Sequence, residues 1–287
     1  MIIRKIAVIP NAAKDPGLAL TYKTVMELQG TGAELFMESE YSDSIKEGVN
    51  FTGPEELVRD ADVIIVLGGD GSIIDAARRS YLMDIPILGI NLGRVGYMAT
   101  LEPEELPMLK KLFSGDYSID ERIMLSATVC GPNRSPETTP PALNDIVLTR
   151  GELSRMIDIE LLCSGELAGH YRADGLIFST PTGSTAYSMS AGGPVLDTAL
   201  DAVAVTPICP HYLNSRPMVF AGSSVFEASC TLDPESRWFM TVDGRDNFAL
   251  GASDRIRISK SGYSTRLINM KKNGFYDVLR RKTSEKI

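Results

Sequence analysis

The stretch Ala61-Asp-Val-Ile-Ile-Val-Leu-Gly-Gly-Asp70-Gly-Ser-Ile-Ile-Asp-Ala-Ala-Arg-Arg79 decides how the rest of the chain is read. Residues 63–67 form a continuous apolar run, β-branched at four of five positions. Such a run, bounded by a turn, predicts a buried parallel strand. Gly68 and Gly69 break it. From Ser72 the pattern predicts a helix, because Ser72 followed by Asp75 is a capping signal and residues 76–79 are good helix formers. A strand, a tight glycine turn and a helix N-terminus leave backbone N–H groups aimed above the strand's end, where the helix dipole favours an anion. Gly68, Gly69 and Gly71 allow backbone to approach a ligand where a Cβ would interfere. Asp70 is the odd member, a carboxylate inside a nest suited to anions. A metal, a sugar hydroxyl or a proton in transit would give it a task.

Two familiar phosphate loops do not fit. No Gly-Lys-Ser/Thr follows, as a P-loop needs, and Ser72 and Ile73 after Gly71 break the dinucleotide-binding glycine pattern. What remains, Gly-Gly-Asp-Gly-Ser, resembles the phosphate loop shared by NAD kinases, diacylglycerol and sphingosine kinases, and 6-phosphofructokinases.

At 287 residues the chain can bury one large core or two modest ones, and 44% hydrophobic with 23% charged residues is an ordinary globular composition. The N-terminus runs straight into a strand pattern without a signal-peptide cleavage region. No apolar stretch approaches the roughly 18 residues of a membrane-spanning helix. Four scattered cysteines, Cys130, Cys163, Cys209 and Cys230, show no zinc or redox spacing and predict a reduced, cytoplasmic protein. A net charge of −8 argues against nucleic acid as a partner, so phosphate must be held by local donors or by metal. With only His170 and His211, a Ser-His-Asp hydrolase has little to work with.

Taken in order, residues 5–10 predict a first strand, 11–16 a polar loop, 18–29 a helix, 33–37 a strand, 39–53 a surface loop and 54–60 a short helix with Pro54 at its first position. The central strand–turn–helix follows, then a buried strand over 86–90. This alternation predicts a doubly wound parallel sheet. Asn91-Leu-Gly-Arg-Val-Gly-Tyr97 then puts a second permissive loop at a strand's C-terminal end, where open α/β sheets bind ligands. Tyr97 would either pack on a ligand ring or cover the core. From residue 118 the character changes. Strands are predicted over 118–130, 142–149, 156–162, 166–172, 176–179, 203–208, 218–221, 225–231, 238–242 and 254–260, with 131–141 as a hairpin tip. Turn residues at this spacing mark an all-β, sandwich-like layer. A closing strand over 264–270 and a helix over 274–282, with Phe275, Val278 and Leu279 on one face, are expected to return to the first domain. The expected architecture is thus an α/β N-terminal domain with a mostly parallel doubly wound sheet (1–117, completed by 262–287) plus an all-β, sandwich-like C-terminal domain (118–261).

Inside the β region, residues 170–194 crowd seven Ser/Thr, four glycines and two prolines around one short apolar strand. Hydroxyl and backbone donors there suit phosphate and ribose, with Tyr187 beside a base and Asp174 accepting from an amide or hydroxyl. Taken with Leu143-Asn144-Asp145-Ile146, the stretch His170-Tyr-Arg-Ala-Asp174-Gly through Ser179-Thr-Pro-Thr-Gly-Ser184-Thr-Ala-Tyr187 resembles the NAD-binding region of the ATP-dependent NAD kinases. The order of landmarks is similar as well, from Gly-Gly-Asp-Gly through Asn-Leu-Gly-x-x-Gly to Val242-Asp243-Gly244 and Asp277-Val-Leu-Arg-Arg281. The absence of the N-terminal extension of animal forms makes the resemblance closest to the compact bacterial type.

The resemblance implies transfer of the γ-phosphate of ATP to the 2′-hydroxyl of the adenosine ribose of NAD, with a divalent metal, Mg²⁺ by expectation, on the triphosphate. It implies Asp70 as general base with Gly71 beside it contacting NAD, and Gly68 and Gly69 as further contacts of the loop. It implies NAD contacts at Asn144, Asp145, Arg172 and Asp174, and a pocket segment of Thr185, Ala186, Tyr187, Ser188, Met189 and Ser190. Arg155 and Cys209 align with pocket positions; Arg155 could hold the new 2′-phosphate bidentately or be a solvated strand-end charge. Arg94 replaces the smaller polar residue frequent in relatives. No residue is assigned as a protein metal ligand. ATP and NAD are the expected partners, with no membrane or nucleic acid, in a homodimer or homotetramer. A lipid kinase would need an apolar acceptor cleft, and a non-catalytic NAD(P) sensor would not need Asp70.

Overall fold

The structure, a computed structural model, describes residues 3–93, 96–132, 134–151, 156–212, 214–231, 237–271 and 275–284. Arg94 and Arg155 lie outside the described residues. The chain divides into two compact units, Met1–Glu121 with Thr265–Ile287, and Arg122–Ser264.

The first unit contains β1 (Lys5–Pro10), α1 (Ala19–Leu28), β2 (Glu34–Glu38), β3 (Asn50–Thr52), α2 (Pro54–Arg59), β4 (Val63–Gly68), α3 (Asp70–Ser80), β5 (Ile87–Asn91) and α4 (Lys111–Ser114). Its strands pair in parallel in the order β5-β4-β1-β2-β3. Every residue of β4 and β5 is buried, as strands covered on both faces require. Ile6, Val8, Ile65, Leu67, Leu88 and Ile90 enter a core with Val25 and Leu28 of α1. Ile64, Val66 and Ile87, pointing the other way, are equally buried. The chain order reverses between β1 and β4, which places the topological switch point at Pro10 and Gly68, where a doubly wound sheet binds its ligands.

The second unit contains β6 (Ser118–Gly131), β7 (Arg134–Thr138), β8 (Asp145–Arg150), β9 (Ile157–Cys163), β10 (Glu166–Ala173), β11 (Gly175–Ser179), α5 (Tyr187–Ser190), β12 (Ala202–Ile208), β13 (Met218–Ala221), β14 (Val225–Thr231), β15 (Trp238–Val242), β16 (Asp246–Leu250) and β17 (Arg255–Asn269). Six strands form an antiparallel sheet in the order β13-β12-β11-β8-β15-β16. A second antiparallel run, β10-β9-β14-β17, shares its core: Ile146, Leu148, Phe178 and Trp238 from one layer pack with Ile159, Phe226 and Ile256 from the other. Phe178 and Phe226 meet at 5.4 Å between ring centroids, which ties the layers of the sandwich. The last residues of β17 lie in the first unit, where Leu267 pairs in parallel with Ile87, and α6 (Phe275–Ser284) follows.

Several expectations need correction. α3 begins at Asp70, not Ser72: the Gly69 carbonyl accepts from the N–H of Ser72 (2.9 Å) and Ile73, so the helix starts directly off the glycine turn. Ser72 caps nothing; its Oγ accepts from Asn11 Nδ2 at 2.9 Å. The surface loop over 39–53 holds β3, an edge strand too short to show alternation. The hairpin tip over 131–141 holds β7, mostly exposed. β16 joins the six-stranded sheet although no strand was expected there. β8 starts at Asp145, and Ala142 makes only an isolated bridge to Leu125.

Candidate active site

The switch point of the first unit carries the glycine loop. Gly68 ends β4, Gly69 stands before α3, and Asp70 occupies the first helical position, where the dipole favours a carboxylate. β5 runs beside β4 with Asn91 opposite Gly68, and the Leu92 N–H donates to the Gly68 carbonyl at 3.0 Å. The two permissive loops are therefore direct neighbours. The second loop holds Asp70: the N–H of Tyr97 donates to Oδ2 (2.9 Å) and that of Met98 to Oδ1 (3.0 Å). Gly96 makes this fit possible, since a Cβ there would overlap Asp70 Oδ1. Each carboxylate oxygen keeps a further lone pair, so Asp70 is oriented yet still able to accept a proton.

Tyr97 neither stacks openly nor disappears into the core. Its ring lies 6.3 Å from that of Phe275, and the Lys282 ammonium sits 4.1 Å from its centroid. Burial first, and the Asp70 charge second, push its phenol above the usual range.

Sequence reasoning missed two residues at this site. Asn11, at the end of β1, ties the first loop to the third position of α3 through Ser72. Lys14, exposed on the loop after β1, brings its ammonium to 3.0 Å from the point where a Gly69 Cβ would stand, a positive charge beside the glycine turn of a chain with a net charge of −8. Their signal was topological: they follow the strand on the other side of the switch point. Asn91 is buried, its Nδ2 donates to Glu102 Oε2 at 3.0 Å, and its Oδ1 has no partner among the described residues.

In the second unit, Asn144 and Asp145 lead into β8 at one end of the six-stranded sheet, beside Ser179 and Val242 of the neighbouring strands. The segment after β11 folds onto them. The Thr180 N–H donates to the Asn144 carbonyl (2.9 Å), Thr180 Oγ1 donates to the Leu143 carbonyl (2.6 Å), and Gly183 leaves no room for a Cβ against Asn144. Much of the hydroxyl cluster faces inward: Ser184 donates to Pro181 and accepts from the Leu196 N–H, and Ser188 pairs with Thr206. Thr185 and Ala186 are half-buried, whereas Tyr187, Met189 and Ser190 are exposed, Tyr187 at 45%. Tyr187 therefore stands outside the core. The Asn144 Oδ1 is buried without a partner among the described residues, an acceptor that a ligand donor would satisfy. Burial, then the neighbouring Asp243 charge, push the Asp145 carboxyl up to about 7.

Asp174 and Cys209 lie at the other end of that sheet. Asp174 precedes β11, its N–H bonds the Ile208 carbonyl, and its carboxylate meets Arg150 Nε at 3.1 Å. Cys209 is exposed with a left-handed backbone (φ 45°), and Arg172 is exposed on β10. The four to five residue steps of β8 or β11 put this group about 15 Å from Asp145. One unit thus carries the expected NAD contacts in two clusters.

Among the described residues no three His, Cys, Asp or Glu side chains converge as a metal cage, and no helix is long and apolar enough to cross a membrane.

Comparison with known proteins agrees with both halves. A family profile described as ATP-NAD kinase N-terminal domain matches residues 18–117, and one described as ATP-NAD kinase C-terminal domain matches residues 143–270. The NAD kinase of Natranaerobius thermophilus is 37% identical over 281 residues, covering 98% of each chain. That of Moorella thermoacetica is 44% identical over 232 residues, covering 80% of this chain and 74% of the relative. Among solved structures, the NAD kinase from Archaeoglobus fulgidus in complex with ATP is similar with a TM-score of 0.77 and 25% identity over 97% of this chain and 98% of that one. Yeast NADH kinase complexed with NADH shares the fold with a TM-score of 0.91 at 22% identity, over 100% of this chain and 90% of that one. With both profiles matched in order and full-length relatives above a third identical, the chain belongs to the ATP-NAD kinase family.

Proposed function

We propose that the protein transfers the γ-phosphate of ATP to the 2′-hydroxyl of the adenosine ribose of NAD, giving NADP and ADP. The observation that carries this is Asp70, a carboxylate set in the glycine loop and oriented by two backbone N–H groups in a chain of this family. The ribose oxygen forms its bond to the γ-phosphorus as the bond from that phosphorus to the β,γ-bridging oxygen breaks. Asp70 receives the hydroxyl proton and releases it to solvent. Phosphoryl transfer runs through a loose transition state, so the remaining task is positioning and charge stabilisation. The glycine turn at Gly68 and Gly69 offers backbone to the phosphates, Gly71 contacts NAD beside Asp70, and Lys14 adds a cation.

The donor is the magnesium complex of ATP. A divalent ion of this kind would bind mainly through the substrate phosphates and would neutralise the charge that develops on them. On the acceptor side, Asn144 and Asp145 bind NAD by hydrogen bonds, and the buried Asn144 Oδ1 supplies an acceptor. Thr185, Ala186, Tyr187, Ser188, Met189 and Ser190 line the pocket, with Tyr187 against a ring and the inward Ser188 offering backbone. Arg172, Asp174, Cys209 and Arg155 complete the NAD contacts. With it we propose a homo-oligomer, dimer or tetramer, as the family resemblance implies. A cytoplasmic location belongs to the same proposal, with the scattered cysteine spacing of the sequence in its support.

The test is direct. Purified protein given NAD, ATP and Mg²⁺ is assayed for NADP with an NADP-specific dehydrogenase, beside diacylglycerol as competing acceptor. NADP formation supports the reading; phosphorylated lipid without NADP, or ligand binding without turnover, overturns it.

A further inference from the structure

The turn that leads into β8 is built by a residue a hundred positions away. Asp243 follows β15, and its carboxylate accepts three consecutive backbone N–H groups: Leu143 to Oδ2 (2.9 Å), and Asn144 (2.7 Å) and Asp145 (3.1 Å) to Oδ1. In return the Asp243 N–H donates to the Asp145 carbonyl at 2.9 Å. The residue adopts a left-handed backbone (φ 50°), which an aspartate accepts at some expense and Gly244 after it accepts freely. Such a conformation persists only where the surroundings over-determine it, and four hydrogen bonds to one turn do so. Three N–H groups converging on one point form an anion nest, here filled by the protein's own carboxylate.

We propose that Asp243 is a positioning residue for NAD: its carboxylate clamps the backbone of residues 143–145 through three N–H groups and so fixes how Asn144 and Asp145 meet the ligand. This rests on the reading of Asn144 and Asp145 as NAD contacts. The clamp fixes where the Asn144 amide and the Asp145 carboxyl project. The charge matters because Asp145 is buried against it. Burial and the Asp243 charge together lift the Asp145 carboxyl to about 7. Asp243 itself is raised by burial, opposed by its three N–H partners and by Arg245. The other strand beside Asp145 presents the uncharged Ser179. Asp145 therefore changes between hydrogen-bond donor and pure acceptor across the neutral range. An ionised Asp145 accepts from ligand hydroxyl or amide groups, so NAD binds best above that range and weakens as pH falls through it.

The experiment measures initial rates of NADP formation from pH 5.5 to 9 for the wild type, Asp145→Asn, Asp243→Asn and Asp243→Gly, with a thermal melt of each. Glycine suits the left-handed backbone and removes the carboxylate without strain, so it keeps the test available where Asp243→Asn fails to fold. In the wild type the KM for NAD is expected to rise up to tenfold per unit as pH falls below about 7, while the KM for ATP stays flat. Asp145→Asn removes that inflection. Asp243→Gly moves it to lower pH and raises the KM for NAD several-fold at pH 8.5, with kcat within about twofold. A lower melting temperature with wild-type KM for NAD and an unmoved inflection makes Asp243 merely structural and overturns the proposal. An Asp145→Asn variant with wild-type KM and an intact inflection instead overturns the underlying assignment of the NAD contacts.

Discussion

Gly96→Ala tests the catalytic loop at its tightest point. Gly96 lies in the second permissive loop and does not have a left-handed backbone, so alanine introduces no conformational strain. What it introduces is a methyl 3.0 Å from Asp70 Cγ and nearer still to Oδ1. Carbon atoms rest at about 3.5–4.0 Å, so the carboxylate must retreat by roughly 0.5–1 Å. That retreat stretches the bonds from the N–H of Tyr97 and Met98, now 2.9 and 3.0 Å. The displaced atoms are the end of a short side chain rather than backbone, so the fold survives with a loss of about 1 kcal/mol, the low end for overpacking. Catalysis does not survive equally. A misplacement near 1 Å is worth on the order of 10²-fold in rate, or about 2.7 kcal/mol of activation free energy. Steady-state kinetics should show kcat down about 100-fold with KM for NAD changed less than twofold, beside a melt close to wild type. A folded Gly96→Ala variant with wild-type kcat would refute the claim that Asp70 must sit where these two N–H groups hold it.

Two further outcomes follow from the donor loop and the pocket. Lys14→Ala removes the ammonium beside Gly69 and should raise the KM for ATP about tenfold while leaving the KM for NAD unchanged, as initial-rate kinetics would show. Tyr187→Ala should weaken NAD binding by about 1–3 kcal/mol in calorimetric titration, by analogy with aromatic stacking on bases. Because Tyr187 is 45% exposed, its melting temperature should barely move, whereas a core aromatic would lose about 3–5 kcal/mol of stability.

The central strand and its glycine turn were legible because an all-buried strand leaves a continuous β-branched run, and because no other residue allows such close backbone approach. The start of α3 was misplaced by two residues, since Ser72 carries a capping signature but spends its hydroxyl on Asn11. β3 and β7 left little trace, as short or exposed edge strands carry no apolar alternation. The crowding of hydroxyls and glycines marked out residues 170–194, yet spacing alone could not say that Ser184 and Ser188 turn inward while Tyr187 turns out. Lys14 and Asp243 were invisible as site residues. Asp243 holds backbone a hundred positions away and Lys14 ends beside Gly69, placements that exist only once the sheets have formed.

The most direct measurement of the central claim is the pair of constants for Asp70→Asn. Asparagine keeps the shape and one acceptor oxygen but cannot take the hydroxyl proton. Turnover to NADP should fall by roughly 10²-fold or more, while the Kd for NAD from calorimetry stays within a few-fold of wild type. Near-normal turnover in the folded variant would contradict the account and leave Asp70 a residue of the turn alone.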